Sequence, residues 1–233
     1  AARLTEFQKR VSDQFSLTLS TYDDLWQWSV EQPDQFWGSV CNYLNIEFSH
    51  PAKEVLQAGK GIRDARWFEG ARMNFARHLL KRRDDRIAII FRSENGTRRS
   101  LTYAELYQQV AEVQSYLKKM NIRAGDRVAG YLPNSPEAII AMLATTALGG
   151  VWTSCSPDFG TNGVVDRFGQ VEPKLLFTVD GYHYADKQIN NLDKLPEIVA
   201  RIPSVDGVVV YPFLNDSPDL KAIKGAQLWA DAL

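Results

Sequence analysis

Apolar positions in the first third of the chain follow the period of an α-helix. Between Leu4 and Val11 they recur every three or four residues, which places them on one helical face. Ser20 or Thr21 can cap a second helix, because acidic residues follow in what would be its first turn. Pro33 is suited to the first turn of a third helix. These signals predict a helical segment over residues 1–81, which carries four of the six tryptophans.

From Arg86 onwards the pattern changes to short β-branched runs separated by turn residues. Arg86–Arg92 and Thr97–Leu101 flank Asn95–Gly96, a dipeptide typical of tight hairpin turns, so the two runs are predicted to pair. Thr102 stands three residues before Glu105, which is the spacing of a capping box, and apolar residues follow at helical spacing. A hairpin followed directly by an amphipathic helix is therefore predicted.

Beyond this helix, apolar strands and helices alternate, with Pro, Gly, Asn and Asp in the connections. Strands that are apolar throughout are typical of a parallel sheet buried on both faces. The predicted fold class is α/β: the helical, Trp-rich N-terminal segment, then a doubly wound, mostly parallel sheet with helices on both faces over residues 82–233. From Pro212 only a connection is predicted. The predicted strands are Arg127–Leu132, Gly150–Thr153, Lys174–Val179 and Val208–Tyr211, and the predicted helices are Ser135–Leu148, Asn162–Val171 and Leu192–Ala200.

Charge and cysteine content restrict the functional classes. The 233 residues carry 27 basic and 28 acidic side chains, a net charge of −1, so nothing favours nucleic acid as a partner. The uncharged stretch 138–157 has Thr, Gly, Ser and Pro in its second half, which indicates a buried helix and strand rather than a membrane span. The two cysteines lie far apart and the N-terminus has no apolar signal core, so a cytoplasmic location is expected.

Motifs with well-defined chemistry are absent from the sequence. There is no Gly-x-x-x-x-Gly-Lys-Ser/Thr phosphate loop, no Gly-x-Gly-x-x-Gly after the first strand and no Gly-x-Ser-x-Gly nucleophile elbow. The three histidines, His50, His78 and His183, do not have the spacing of metal ligands. We therefore expect neither a catalytic residue nor a metal ligand in this chain.

Two clusters allow more than one interpretation. The aromatic residues between Trp26 and Trp37 favour core packing or docking onto another domain, with a ligand-binding box as the alternative. The basic run Lys81–Arg83 is typical of a helix C-terminus, where cations interact favourably with the helix dipole. A phosphate contact is the alternative for this run.

Four segments, taken in order, resemble the acyl-CoA synthetase superfamily, the adenylate-forming ligases. Tyr22–Ile46 is similar to the N-terminal cap segment of short-chain members, and Trp67–Leu80 to the entry into their main domain. Leu101–Leu106 and Gly149–Phe177 resemble two motifs of the shared core. Ser156–Gly160 stands where acetate-activating members have a Phe-Gly-Gly-Phe-Ser loop, which indicates the branch of the family that activates acetoacetate.

The resemblance implies a ligase that uses ATP, Mg²⁺ and CoA and takes a small carboxylic acid as its substrate. Members form an acyl-adenylate and then transfer the acyl group to the thiol of CoA. Their phosphate loop, their adenine and Mg²⁺ motifs and the lysine of their C-terminal domain have no counterpart here. The resemblance therefore implies an N-terminal part, truncated before the phosphate loop, that is inactive alone and holds no cofactor tightly. An apolar face exposed by truncation, and self-association through it, are expected.

The resemblance also indicates residues at the entrance for CoA. It places Pro157, Asp158 and Phe159 near the nucleotide of CoA, and it places Tyr184 and Lys187 in the stretch where members contact the 3′-phosphate. Tyr184 stands where acetate-activating members have an arginine, so Lys187 is the residue that keeps a positive charge. Tyr184 could stack on adenine or belong to a solvated loop.

Two alternatives to an acetoacetate ligase remain. One is a sibling ligase for acetate, propionate or another short acid, because the acyl pocket of the family is built by residues beyond the phosphate loop. The other is a non-catalytic module that binds CoA or a partner.

Arg167, on the helix after the CoA-side loop, is expected to fix that loop rather than to bind substrate.

Overall fold

The computed structural model describes residues 2–233, which form two compact units, residues 2–74 and residues 75–233. The first unit contains three helices, as the helical spacing near its N-terminus predicts, but it continues with a short antiparallel pair of strands, so the segment 1–81 is not helical throughout. Its elements are α1 (Arg3–Phe15), α2 (Tyr22–Glu31), α3 (Pro33–Tyr43), β1 (Leu56–Gln57) and β2 (Arg66–Trp67).

Local side-chain chemistry determines where α2 and α3 begin. Thr21, rather than Ser20, is the N-cap of α2: its hydroxyl accepts from the Asp24 N–H at 3.1 Å, and the Asp24 carboxylate accepts from the Thr21 N–H at 2.7 Å. This reciprocal pair satisfies two N–H groups that a helix start leaves without partners. Pro33 occupies the first turn of α3, where its missing N–H has no cost.

The aromatic residues of the first unit divide between its core and its surface. Trp28 is buried with Phe7, Val11 and Leu25, and its ring lies 5.8 Å from that of Phe36. This confirms core packing for part of the cluster. Trp26 and Trp37 are about half exposed, and Trp37 contacts the ring of Trp67, which the sequence places thirty residues away.

The second unit alternates strands and helices around one parallel sheet. Five strands lie in the order β11-β10-β7-β5-β6, and every pair within this sheet is parallel. Two antiparallel hairpins, β3–β4 and β8–β9, lie outside it. The elements are α4 (Phe75–Leu79), β3 (Ile87–Arg92), β4 (Arg98–Thr102), α5 (Tyr103–Lys119), β5 (Arg127–Tyr131), α6 (Pro136–Ala147), β6 (Val151–Cys155), α7 (Thr161–Gly169), β7 (Leu175–Val179), β8 (Gly181–Tyr184), β9 (Lys187–Asn190), α8 (Leu195–Arg201), β10 (Gly207–Tyr211), β11 (Ala226–Leu228) and α9 (Trp229–Ala232).

Helices cover both faces of the parallel sheet. One buried cluster joins apolar side chains of α5 and α6 to the sheet, and a second joins those of α7 and α8 to its other side. All five residues of β7 are buried, as a strand covered on both faces requires. The predicted doubly wound α/β class is therefore confirmed. None of the nine helices found in residues 2–233 has the length and apolar character needed to span a bilayer.

One expectation about the second half of the chain is wrong. Val208–Tyr211 is not the last strand, because β11 pairs with it further on. The stretch 181–187, for which a solvated loop was one of two interpretations, lies in the hairpin β8–β9. These strands are too short to show a period: β11 is held by its pairing with β10, and β8 and β9 pair with each other across a two-residue turn.

A glycine in β5 makes room for a neighbouring tryptophan. A Cβ at Gly130 would lie at 2.5 Å from the ring of Trp152, which comes from the adjacent strand β6. That distance is far below van der Waals contact. The Trp152 ring thus lies directly over the β5 backbone, and it also packs against Phe177 at 6.4 Å.

The capping box at α5 gives a pH-dependent prediction. The Thr102 backbone N–H donates to the Glu105 carboxylate at 2.7 Å, and this bond holds the pKa of Glu105 below its usual value. A lowered folded-state pKa stabilises the protein above the unfolded-state pKa, and the benefit is lost as pH falls through the folded-state pKa. We expect Glu105→Gln to lower the free energy of unfolding at neutral pH, with a deficit that shrinks in acid.

Denaturant titration at several pH values measures this deficit. Glu94→Gln is the matched control, because Glu94 is exposed and lies in a turn rather than at a helix start. Its deficit should not change with pH. A deficit for Glu105→Gln that stays constant from neutral to acid pH would contradict the role of its charge.

Candidate functional site

The carboxyl ends of the parallel strands face a cleft of about 320 Å³. In open parallel sheets, ligands bind beyond this edge, because loops from several strands meet there. Five segments line the cleft: 91–94 of the first hairpin, 133–134 after β5, 156–158 after β6, 182–184 of β8, and Phe213 after β10.

The loop after β6 has one buried anchor and one stacked side chain. The hydroxyl of Tyr131, at the end of β5, lies 2.9 Å from the Pro157 carbonyl oxygen and 2.6 Å from that of Phe159. The Phe159 ring does not line the cleft and lies under the guanidinium of Arg167, 4.5 Å from its centroid. Arg167 therefore contacts the loop in the way expected of a residue that fixes it.

The β8–β9 hairpin provides the aromatic wall of the cleft. The ring of Tyr182 is largely buried there, and its burial, together with the nearby Asp158 carboxylate, raises the pKa of its phenol. Tyr184 is 62% exposed at the tip, directly across the register from Lys187. The two residues between them have positive φ, as a tight hairpin turn requires.

A buried carboxylate organises the opposite wall. Asp180 follows β7 directly and accepts hydrogen bonds from the backbone N–H groups of Phe213 (2.6 Å), Leu214 (3.0 Å) and Asn215 (2.8 Å). These bonds fix the segment that places the Phe213 ring 6.3 Å from Phe91. Sequence reasoning missed Asp180; the available signal was an acidic residue at the end of an entirely apolar strand.

An ion pair next to the cleft joins the first hairpin to the sheet. The Arg99 guanidinium donates to the buried Glu137 carboxylate at 2.9 Å and to the Tyr211 hydroxyl at 3.0 Å. Burial, and then the charge of Glu137, raises the pKa of Tyr211. Glu137 lies in the first turn of α6, where a negative charge is favourable. This cluster was also missed, because its members come from three distant segments.

The structure brings three of the five predicted site residues together. Pro157, Asp158 and Tyr184 line the cleft, whereas Phe159 and Lys187 do not. The cleft also includes the exposed cation Arg92, which sequence reasoning did not identify.

The basic run Lys81–Arg83 and the possible metal ligands are the remaining candidates from the sequence. Arg82 and Arg83 lie over the rings of Tyr103 and Tyr107, at 5.2 and 3.8 Å from their centroids. This favours packing over a phosphate contact for the basic run. Within residues 2–233, no group of three or more His, Cys, Asp or Glu side chains could hold a metal ion.

The fold agrees with the comparison with known families. The AMP-binding enzyme family matches residues 75–231, and the acetyl-coenzyme A synthetase N-terminus family matches residues 22–79. Because the first match covers about two thirds of the sequence, the chain belongs to the AMP-binding enzyme family.

Individual relatives point to one group within this family. The chain is 39% identical to the acetoacetyl-CoA synthetase of Macaca fascicularis, over 99% of this chain and 35% of that protein. The structure of acetoacetyl-CoA synthetase from Streptomyces lividans matches with a TM-score of 0.90 and 39% identity, over 99% of this chain and 36% of that one. A malonamoyl-CoA synthetase of Penicillium aethiopicum is also 39% identical, over 90% of this chain and 30% of that protein. The chain thus spans about a third of the length of these relatives.

The role of Asp180 can be tested by removing its charge. In Asp180→Asn, one acceptor oxygen becomes an NH₂ group that faces backbone N–H donors, so buried donors lose their partner. We expect the free energy of unfolding to fall by about 2 kcal/mol. Denaturant titration measures it, with the exposed Asp193→Asn as the matched control. Equal stability of the two variants would contradict this role.

Proposed function

We propose that the chain is the N-terminal part of an ATP-dependent acetoacetate–CoA ligase. Residues 1–81 would form the N-terminal cap segment, and residues 82–233 the first α/β subdomain, truncated before the phosphate loop. The observation that carries the proposal is the ordered match to two family models, together with 39% identity along 99% of the chain. The free thiols of Cys41 and Cys155 support a proposed cytoplasmic location.

The proposed reaction has two steps. A carboxylate oxygen of acetoacetate attacks the α-phosphorus of ATP, and the bond to the bridging oxygen breaks, giving an acyl-adenylate and pyrophosphate. The CoA thiolate then attacks the acyl carbon, and the bond to AMP breaks, giving acetoacetyl-CoA. The longer protein would use ATP, Mg²⁺ and CoA. The phosphate loop and the adenine and Mg²⁺ motifs of the family have no counterpart in this chain, so we assign neither step to it and propose that the chain alone is inactive.

We propose that the contribution of this chain is to bind the nucleotide end of CoA. Pro157, Asp158 and Tyr184 line the cleft, and the exposed ring of Tyr184 can stack on adenine. Lys187 lies across the hairpin register from Tyr184 and supplies a positive charge for a phosphate. Phe159 contributes by shaping the loop through its contact with Arg167.

The charges in the cleft determine how CoA would be oriented. The Asp158 carboxylate repels phosphate, so the phosphates of CoA should lie towards the cations. These are Arg92, which lines the cleft at the first hairpin together with Glu94, and Lys187, which lies outside the cleft lining at the tip of the second hairpin. CoA would thus be held by its adenine, stacked on Tyr184, and by the cations Arg92 and Lys187, rather than by a phosphate loop.

A sibling ligase is the second candidate, and one observation favours it. The malonamoyl-CoA synthetase of Penicillium aethiopicum is as similar to this chain as the acetoacetyl-CoA synthetases are. In either case the substrate is a small carboxylic acid.

Edge strands of the second unit expose apolar side chains. Ile90 on β3 is 75% exposed, and Val151 on the sheet's outer strand β6 is 49% exposed. We propose that the rest of a longer protein covers such positions and that the 233-residue chain self-associates through them. Ile90→Lys should then lower the oligomer fraction in light scattering. Glu94→Lys, a charge change in the same hairpin, is the control and should leave that fraction unchanged.

The reaction can be tested with the complete protein that contains this chain. ATP–pyrophosphate exchange should be faster with acetoacetate than with acetate, and the 233-residue chain alone should give no exchange. Preference for acetate or malonamate would favour the sibling ligase. Absence of exchange with every short acid, in a folded complete protein, would argue for a non-catalytic module.

Lys187 gives a test of the CoA site. Lys187→Ala in the complete protein should raise KM for CoA about twofold to fivefold, because an exposed charge contact contributes up to about 1 kcal/mol. The increase should shrink at high salt, and KM for ATP should not change. Lys221→Ala, another exposed lysine, is the matched control. Equal KM values for CoA in the two variants would rule out Lys187 as a CoA contact.

A further inference from the structure

We infer that Tyr131 is a positioning residue for the CoA-side loop, Ser156–Gly160: its buried hydroxyl holds the loop in the shape that forms one wall of the cleft. The inference rests on the proposed CoA site. The resemblance to known ligases did not indicate this residue, and its position in a strand gave it only a role in the core.

The position of Tyr131 in the sheet directs its hydroxyl towards the loop. The residue is completely buried at the end of β5, opposite Cys155 in the register, and the loop begins directly after Cys155. Its ring packs in the cluster that includes Phe168 and Leu176. The hydroxyl passes beyond that apolar cluster and reaches the loop carbonyls.

The two carbonyls depend on this hydroxyl. The O–H donates to the Phe159 carbonyl at 2.6 Å and lies 2.9 Å from that of Pro157, so it is shared between two peptide groups that flank Asp158. Burial raises the pKa of the Tyr131 phenol, so it stays protonated and able to donate at neutral pH. A buried acceptor that loses its donor is costly, and the loop would rearrange to reach water.

The anchor acts on the cleft through the backbone. Pro157 and Asp158 line the cleft, and the loop leads into the N-cap of α7 at Gly160. The side-chain contact of Arg167 with Phe159 holds the far end of the loop. Without the Tyr131 hydroxyl, the loop would still be held by that contact, by the short turn from Ser156 to Phe159 and by the bond from the Val164 N–H to the Gly160 carbonyl, none of which contacts the Pro157 or Phe159 carbonyl.

Amide hydrogen exchange of the 233-residue chain tests the anchor itself. Tyr131→Phe keeps the ring and removes the hydroxyl, so the amide of Phe159, which donates to the Ser156 carbonyl within the loop, should exchange about tenfold faster. Tyr116→Phe is the matched control, because Tyr116 is another buried tyrosine whose hydroxyl bonds to Gln227 in the other cluster. It should leave the exchange of the loop unchanged. Unchanged loop exchange in Tyr131→Phe would overturn the inference, whatever the reaction of the longer protein.

Kinetics of the complete protein test the link to CoA. Tyr131→Phe should raise KM for CoA about fivefold while ATP–pyrophosphate exchange, which needs no CoA, keeps its rate. Faster loop exchange with an unchanged KM for CoA would overturn the functional part. A wild-type protein without ligase activity would refute the proposed function and leave the anchor to be judged by exchange alone.

A second measurement serves if Tyr131→Phe does not fold. In the wild-type chain, the amide of Phe159, which is hydrogen-bonded to the Ser156 carbonyl, should exchange at least about tenfold more slowly than those of Ala185 and Asp186, which form the exposed hairpin turn. Equal rates in the two loops would overturn the inference.

Discussion

The parallel pairing of β5 with β6 and β7 is the constraint on which the second unit depends. Because of this pairing, β5, β6 and β7 end at the same edge of the sheet. Where the backbone leaves the apolar core there, its N–H and C=O groups still need hydrogen-bond partners. Tyr131 and Asp180 provide for this at the ends of two neighbouring strands, one with a donor for carbonyls and the other with acceptors for N–H groups. The walls of the cleft are thus a consequence of completing the sheet.

How well an element could be predicted depended on how local its cause is. Thr102 was predicted as a cap, and the cap of α2 was narrowed to Ser20 or Thr21, because each cap is formed within four residues. The apolar strands were predicted because burial on both faces appears in the sequence as a continuous run. Strand β11 and the hairpin β8–β9 were missed, because segments of three or four residues are too short to show a period and are ordered by the strand that they pair with.

The candidate site shows the same division. Pro157, Asp158 and Tyr184 were indicated by resemblance, and the fold places them in one cleft. Composition and periodicity alone did not indicate them. The buried residues that hold the loops could not be found in this way. A tyrosine in an apolar strand has the sequence pattern of a core residue, and the Pro157 carbonyl that the Tyr131 hydroxyl contacts lies 26 positions further along the sequence.

Gly130 and Trp152 have a consequence for how this protein can change over evolution. The Trp152 ring occupies the space that any side chain at Gly130 would need, so neither position is free to vary alone. A larger residue at Gly130 becomes acceptable only after Trp152 has been replaced by a smaller one, and that replacement first opens a gap against Phe177. The order of substitutions at these two sites is therefore restricted, and homologues should retain or exchange the pair together.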